Sequence, residues 1–353
     1  MIGNRLKRAR EALGLSLRDL EAKIQGLVTA QAIGKYERSE SMPGSTVLLA
    51  LARALEVSPE FLLSEQPIEL TGVDFRKGPQ AGVKEEKAVE AAVLDQVERY
   101  LALEEFLPEA KSHWELKAPL VVENIESAEA CAESLRTVWK LGIDPIPMMA
   151  ELLEEKGVKV IALDLPESVS GSKAFVHRAG DESVPVIVVN GGHNGERQRF
   201  TLAHELAHLV LDFVGLDAKE QEKAADRFAG AFLVAKEMLT ALIGRHRKEI
   251  SMGELIELKK IFKVSVASLV VRCNQLGLIS KALYSRLWTQ IKAFGWNGPQ
   301  SSEPYRLEPE NPQRMERLCF RAIAEGAVSE SKAAELMRMS VRELDRRLSV
   351  QGA

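Results

Sequence analysis

The run Phe200-Thr201-Leu202-Ala203-His204-Glu205-Leu206-Ala207-His208-Leu209-Val210-Leu211 constrains this chain more than any other stretch. It is an apolar helical segment interrupted by two histidines and one glutamate. At 3.6 residues per turn His204 and His208 sit one turn apart on one face, with Glu205 beside them. An apolar helix tolerates two imidazoles and a carboxylate on one side when something holds them there. A Zn²⁺ ion does so through neutral ring nitrogens at about 2.0–2.1 Å, and the intervening glutamate is then free to act as general base on a metal-bound water. The spacing predicts a zinc-peptidase helix with His204 and His208 as ligands and Glu205 as catalytic base. Two histidines alone are not a site, so a third protein ligand has to come from elsewhere.

A chain of 353 residues is long enough for two or three domains. Its net charge of −4 excludes wholesale coating of nucleic acid but leaves room for a local basic patch. Cys131, Cys273 and Cys319 are far apart and form no CxxC pair, which argues against a thiolate zinc site or a disulfide framework. The start, Met1-Ile2-Gly3-Asn4-Arg5-Leu6, lacks a signal-peptide core, and no apolar run reaches about 18 residues. A cytoplasmic protein without a membrane partner is expected.

Residues 1–70 read as a domain of five short helices. Leu6, Ala9 and Leu13 share the first apolar face, and Ser16 with Asp19 forms an acidic capping box before Leu17, Leu20 and Ile24. A third helix begins near Thr29. Val47, Leu48, Leu51, Ala52 and Leu55 mark a fourth, and Pro59, Phe61 and Leu62 a fifth. Leu20, the pattern Thr29-x-x-x-Ile33-x-x-Tyr36-Glu37-Arg38 and Leu51-Ala52-x-Ala54-Leu55-x-Val57-Ser58 resemble the helix-turn-helix of Xre/Cro-type repressors. That resemblance implies a third helix in the major groove of a DNA operator, with Thr29, Gln31, Lys35 and Arg38 on the DNA side. Ile33 and Tyr36 read as core. Such domains read paired half-sites as dimers, so a homodimer is implied. Residues 1–40 hold eight Lys/Arg against five Asp/Glu, a local excess in an acidic chain.

Residues 71–127 read as a linker, Gly72 to Gly82, and a connecting amphipathic helix from Lys84 to Leu107. In the next domain, 128–245, a helix spans Ala128 to Leu141. Asp144-Pro145 is expected to open another through Met148, Leu152 and Leu153, by the N-cap and first-turn-proline rule. Strands follow at 158–163, 173–177 and 184–190, with a hairpin turn at Ala179-Gly180-Asp181-Glu182. This order, then Glu196-Arg197-Gln198-Arg199-Phe200-Thr201-Leu202-Ala203-His204-Glu205-x-x-His208, resembles the ImmA/IrrE metallopeptidases over roughly residues 128–240. Several of that family also carry an Xre-type domain in front. The resemblance aligns Glu222-x-x-Ala225-Asp226-x-Phe228-Ala229 with the family signature whose Glu is the third zinc ligand, and so implies Glu222. Asp226 lies one turn on and suits an acceptor for the far nitrogen of a ligand histidine. The residue stabilising the transition state stays open among His177, His193, Tyr284 and Arg199.

Residues 246–353 read as a helical region. It includes a capping box at Ser251-x-x-Glu254 and a polar, proline-dotted connector from Ser301 to Gln313. The last two short helices resemble a second, minimal helix-turn-helix with Arg342, Arg346 and Arg347 on its final helix, but a helical docking module is the reading favoured over it. The fold class expected is α+β and mostly helical: an all-α helix-turn-helix domain, a zincin-like domain with a small sheet, and a helical C-terminal region. The function expected is a DNA-binding regulator with a zinc-dependent endopeptidase that cleaves a repressor or antitoxin-like protein, altering transcription, as in a stress response. The alternative is a non-proteolytic regulator or antitoxin that uses the zincin-like domain to sense a metal or grip a partner.

Overall fold

The computed structural model describes residues 2–57, 59–63, 68–72, 83–114, 116, 118–178, 183–298 and 301–350. Of the expected Gly72–Gly82 linker all but Gly72 lies outside the described residues, as does the 179–182 turn. In chain order come α1 (Ile2–Ala12), α2 (Leu17–Lys23), α3 (Ala30–Glu37), α4 (Ser45–Ala54), α5 (Pro59–Leu63), β1 (Ile68–Thr71) and α6 (Val83–Phe106). Next are β2 (Leu120–Val122), α7 (Ala128–Val138), α8 (Met149–Glu155), β3 (Lys159–Leu163), β4 (Gly171–Arg178) and β5 (Val184–Asn190). Then follow α9 (Gly195–Val210), β6 (Leu211–Phe213), α10 (Ala218–Leu233), α11 (Lys236–Ile243), α12 (Met252–Phe262), α13 (Val266–Gln275) and α14 (Lys281–Ala293). The chain closes with α15 (Arg314–Ala324), α16 (Glu330–Leu336) and α17 (Val341–Val350). The mostly helical α+β class expected from sequence is the one observed. Among the described residues no helix is long and apolar enough to cross a membrane.

These elements form two compact units: residues 1–113, 174–184 and 313–353, and residues 114–173 and 185–312. The C-terminal region read as one block from 246 thus contributes to both, and the helix read as a connector is part of the first unit's interior.

In the first unit, α1 to α5 close over Leu6, Ala9, Leu20, Ile33, Leu51, Leu55 and Leu62. The Ser16–Asp19 capping box forms in full, and Thr29 caps α3 by accepting from the Ala32 amide. The turn between α2 and α3 runs through two residues at positive φ, Gln25 and Gly26. Glu21 then accepts from the Ala30 amide at 3.1 Å, so a carboxylate ties the turn. Helix α6 buries Val93, Val97, Tyr100 and Leu103, and α15 to α17 complete a core with it around Cys319, Ala333 and Leu344.

In the second unit, β3 pairs in parallel with β5, from Lys159↔Val186 to Leu163↔Asn190. Pro185 sits at the start of β5, where a missing ladder donor costs least. Helices α7, α8, α9, α10 and α13 share one apolar core with these strands. Helix α8 starts at Met149, not at Asp144-Pro145. Pro147 disfavours helical geometry at Ile146, so 144–148 stays extended or turned. Its freed carbonyls are taken by two arginines: Arg136 donates to Asp144 and Gly142, and Arg199 to Ile146 and Pro147. Leu211, read as helical, instead opens β6, which pairs in parallel with β2 as Leu120↔Leu211 to Val122↔Phe213.

The connector read as polar and proline-dotted carries two buried carboxylates. Glu303 accepts from the Val266 amide and faces Lys259 at 3.0 Å; Glu310 pairs with Arg199 at 2.7 Å and accepts from the Ala150 amide at 2.9 Å. The strap so formed lies against the start of α9, where Gly195 leaves no room for a Cβ beneath the Glu308 carbonyl.

Candidate metal centre

The centre is built from two adjacent helices. Helix α9 is entered through Asn194, whose side chain accepts from the Arg197 amide. Leu202, Ala203, Leu206 and Ala207 then anchor its inner face, leaving His204, Glu205 and His208 half-buried along the outer flank. Helix α10 opens on a complete capping box between Asp217 and Glu220 and buries Ala224, Ala225, Phe228 and Ala229 against α7 and α9. Glu222 and Asp226, one turn apart on α10, consequently meet the histidines. Glu220 is spent on the cap.

The distances describe a closed triangle. His204 Nε2 and His208 Nε2 are 3.2 Å apart; Glu222 Oε2 is 3.4 Å from the first, and its Oε1 is 3.3 Å from the second. Ligands at 2.0–2.1 Å in a tetrahedron stand about 3.3 Å from one another. Two imidazoles and one carboxylate are a protein donor set that zinc accepts. These three are the group of His, Cys, Asp or Glu that could hold a metal among the described residues, and they fit the ion by spacing and chemistry.

Asp226 Oδ1 lies 2.9 Å from His204 Nδ1. Phe213, carried by β6, packs its ring 5.6 Å from that of His208. Lys173 on β4 donates to the His208 carbonyl at 2.9 Å. Gly171, two residues earlier, lies so close that a Cβ would come within 2.6 Å of Thr201 Cγ2 and 2.7 Å of the Val188 carbonyl, with Glu205 Cγ 3.7 Å away. The strand can run beside the Glu205 turn of α9 because position 171 has no side chain.

Further out, Glu129 on α7 receives Arg272 from α13 and Arg227 from α10 at 2.7 Å each. Burial opposes the Glu129 charge, but these two guanidiniums outweigh it and hold the carboxyl below the usual range. The sequence carries a signal for this clamp, though no motif singles it out. Arg272 lies on the same stripe as Leu269 and Cys273, and a charge on an apolar stripe needs a partner.

Each of the four candidates for transition-state stabiliser has partners of its own. His177 bonds Thr71 and Ser183, and His193 bonds the Glu167 carbonyl. Tyr284 stacks on Trp288, and Arg199 is buried with Glu310. The thiols stay out of metal chemistry: all three cysteines are buried, and burial pushes Cys273 up to about 12 and Cys319 up to about 11.

At α3, Thr29, Gln31, Lys35 and Arg38 are all exposed, while Ile33 is fully buried and Tyr36 half-buried. Thr29 is the α3 cap, and Arg38 makes a two-pronged pair with Glu40 at 2.6 and 3.1 Å. Gln31 and Lys35 lie one turn apart along α3.

Residues 153–274 match a peptidase family described as the IrrE N-terminal-like domain, and residues 6–62 match a helix-turn-helix family. The first match starts in α8 and runs to the end of α13, so it extends beyond the 128–240 stretch of the sequence resemblance. No curated protein matches the chain.

Proposed function

We infer the function from the build of the chain, which joins a helix-turn-helix domain to an IrrE N-terminal-like domain as ImmA/IrrE proteins with an Xre-type domain in front do. From that premise we propose that it is a DNA-binding regulator whose second unit is a zinc-dependent endopeptidase, cutting a repressor or antitoxin-like protein in the cytoplasm and so changing transcription. The observation that carries the peptidase reading is the His204–His208–Glu222 triangle with Glu205 on the adjoining turn.

His204, His208 and Glu222 would hold the ion, with Asp226 orienting the first histidine. A zinc ion there supplies Lewis acidity, which makes water nucleophilic near neutral pH and polarises a peptide carbonyl. Glu205 takes the proton released by the attacking water and passes it to the leaving amine. Leu202 and Leu206, buried in the core, anchor the helix that carries these groups, and the Phe213 ring packs against His208.

The test is incubation of the full chain with proteins encoded beside its gene. Discrete cleavage is expected, falling by at least about 10²-fold in Glu205→Gln, the usual worth of a general base, while metal is retained. A Glu205→Gln protein that cuts as fast as wild type overturns the assignment. DNA binding with no cleavage of any such protein points to the non-proteolytic regulator.

A further inference from the structure

The basic helix at the C-terminal end takes no part in the metal centre, yet its surroundings have the form of a reading head. Ser329 caps α16 by accepting from the Lys332 amide at 3.2 Å. The helix ends at Leu336, and Met337-Arg338-Met339-Ser340 turns the chain with Arg338 at a φ of 49°. Ser340 then accepts from the Glu343 amide at 3.1 Å and opens α17. A four-residue turn between two short capped helices is the connection of a minimal helix-turn-helix. It is tighter than the six residues, 24–29, that join α2 to α3.

The packing gives the second helix an inside and an outside. Leu344 is fully buried and Leu348 half-buried against Ala333, Ala334 and Leu336 of α16. Arg342, Asp345, Arg346 and Ser349 follow at helical spacing on the other face, all exposed. Val341 at the first turn is 39% exposed, an apolar group left in water where a thymine methyl would cover it. Arg347 turns back to Glu316 on α15 and to Glu343. Arg346 also meets Glu343. Such exposed pairs are worth about 0–1 kcal/mol and yield readily to a phosphate.

The module is rooted in the same turn of α6 that holds the N-terminal domain. Arg338 donates to Asp95 at 2.7 Å, and Arg99 donates to the Leu336 carbonyl. Between them Glu98 receives Arg5 of α1. Both helix-turn-helix elements are therefore fixed to one rigid helix within one unit.

We propose that α16 and α17 form a second DNA-binding site. In it α17 enters a major groove of duplex DNA, with Arg342 and Arg346 on phosphates or guanine edges and Val341 on a thymine methyl. The chain then grips DNA at two points, with the second raising the effective concentration of the first. This holds whether or not the metal centre cleaves protein.

Full-length protein and a random-sequence duplex, titrated at a series of salt concentrations, test it. Arg342→Ala with Arg346→Ala should flatten the slope of log K against log salt by about 1.8, two phosphates at about 0.9 each. Arg342→Lys with Arg346→Lys should restore it. Gln31→Ala with Lys35→Ala should leave residual salt-dependent binding that the quadruple alanine variant lacks. A photo-crosslinker at position 342 of otherwise wild-type protein should label the duplex, a readout independent of how the alanine variant folds. Wild-type slope and affinity in the alanine pair, or a crosslinker that labels only protein, overturns the proposal and leaves α17 as a docking helix.

Discussion

Asp226 Oδ1 stands 2.9 Å from His204 Nδ1, one turn beyond Glu222 on the same helix. An ionised carboxylate only accepts, so the imidazole carries its proton on Nδ1 and turns the Nε2 lone pair toward Glu222 and His208. One contact thereby sets both tautomer and ring orientation, the arrangement that raises the basicity of a metal-ligating histidine.

Asp226→Ala should therefore weaken zinc binding about 10- to 100-fold without unfolding the protein, since the Asp226 side chain is 57% exposed. Competition with a chromophoric chelator measures the affinity, and thermal melting of the metal-free protein checks the fold. Unchanged affinity would contradict the orienting role.

Glu129 ties α7 to α10 and α13, and its carboxyl is held below the ordinary range. A depressed folded-state pKa contributes stability that is present above the unfolded value, about 4.3, and is lost as pH falls through the lower folded value. Glu129→Gln should flatten this acid limb in urea unfolding measured against pH. It should also lower stability near neutrality by about 3 kcal/mol, the scale for removing one partner of a buried pair. An acid limb identical to wild type would show that the clamp contributes nothing.

On α3, Gln31 and Lys35 are exposed on a helix capped by Thr29, and they are the groups we propose for contact with DNA. Gln31→Ala should cost about 1–3 kcal/mol on the cognate site and relax the preference at one base pair. Lys35→Ala should weaken all sequences alike and reduce the salt slope by about 0.9. Binding curves on cognate and scrambled duplexes separate the two effects, and wild-type curves for both variants would remove α3 from the groove.

What sequence made legible follows from the range of the forces involved. Helices set by local rules lie where the pattern puts them: the Ser16–Asp19 box, the Thr29 cap, and the four-residue spacing of His204 and His208. Elements decided by distant contacts did not declare themselves. Helix α8 begins at Met149 because Pro147 and two buried arginines hold the preceding carbonyls outside a helix. Strands β2 and β6 have three residues each and exist only as a pair. The stretch containing Glu303 and Glu310 reads as a polar connector, and these two carboxylates are buried because Lys259 and Arg199 pair with them there. At the metal centre, the histidines were legible from spacing and Glu222 only through a family signature, since nothing local joins α9 to α10.

The most direct test of the account is the metal content of the full-length protein, purified without chelators, beside His208→Ala and Glu222→Ala. The account predicts one zinc per chain in the wild type and loss of nearly all of it in each variant, with the folded state retained. A wild-type protein without stoichiometric metal, or a Glu222→Ala protein that keeps it, would contradict the centre described here.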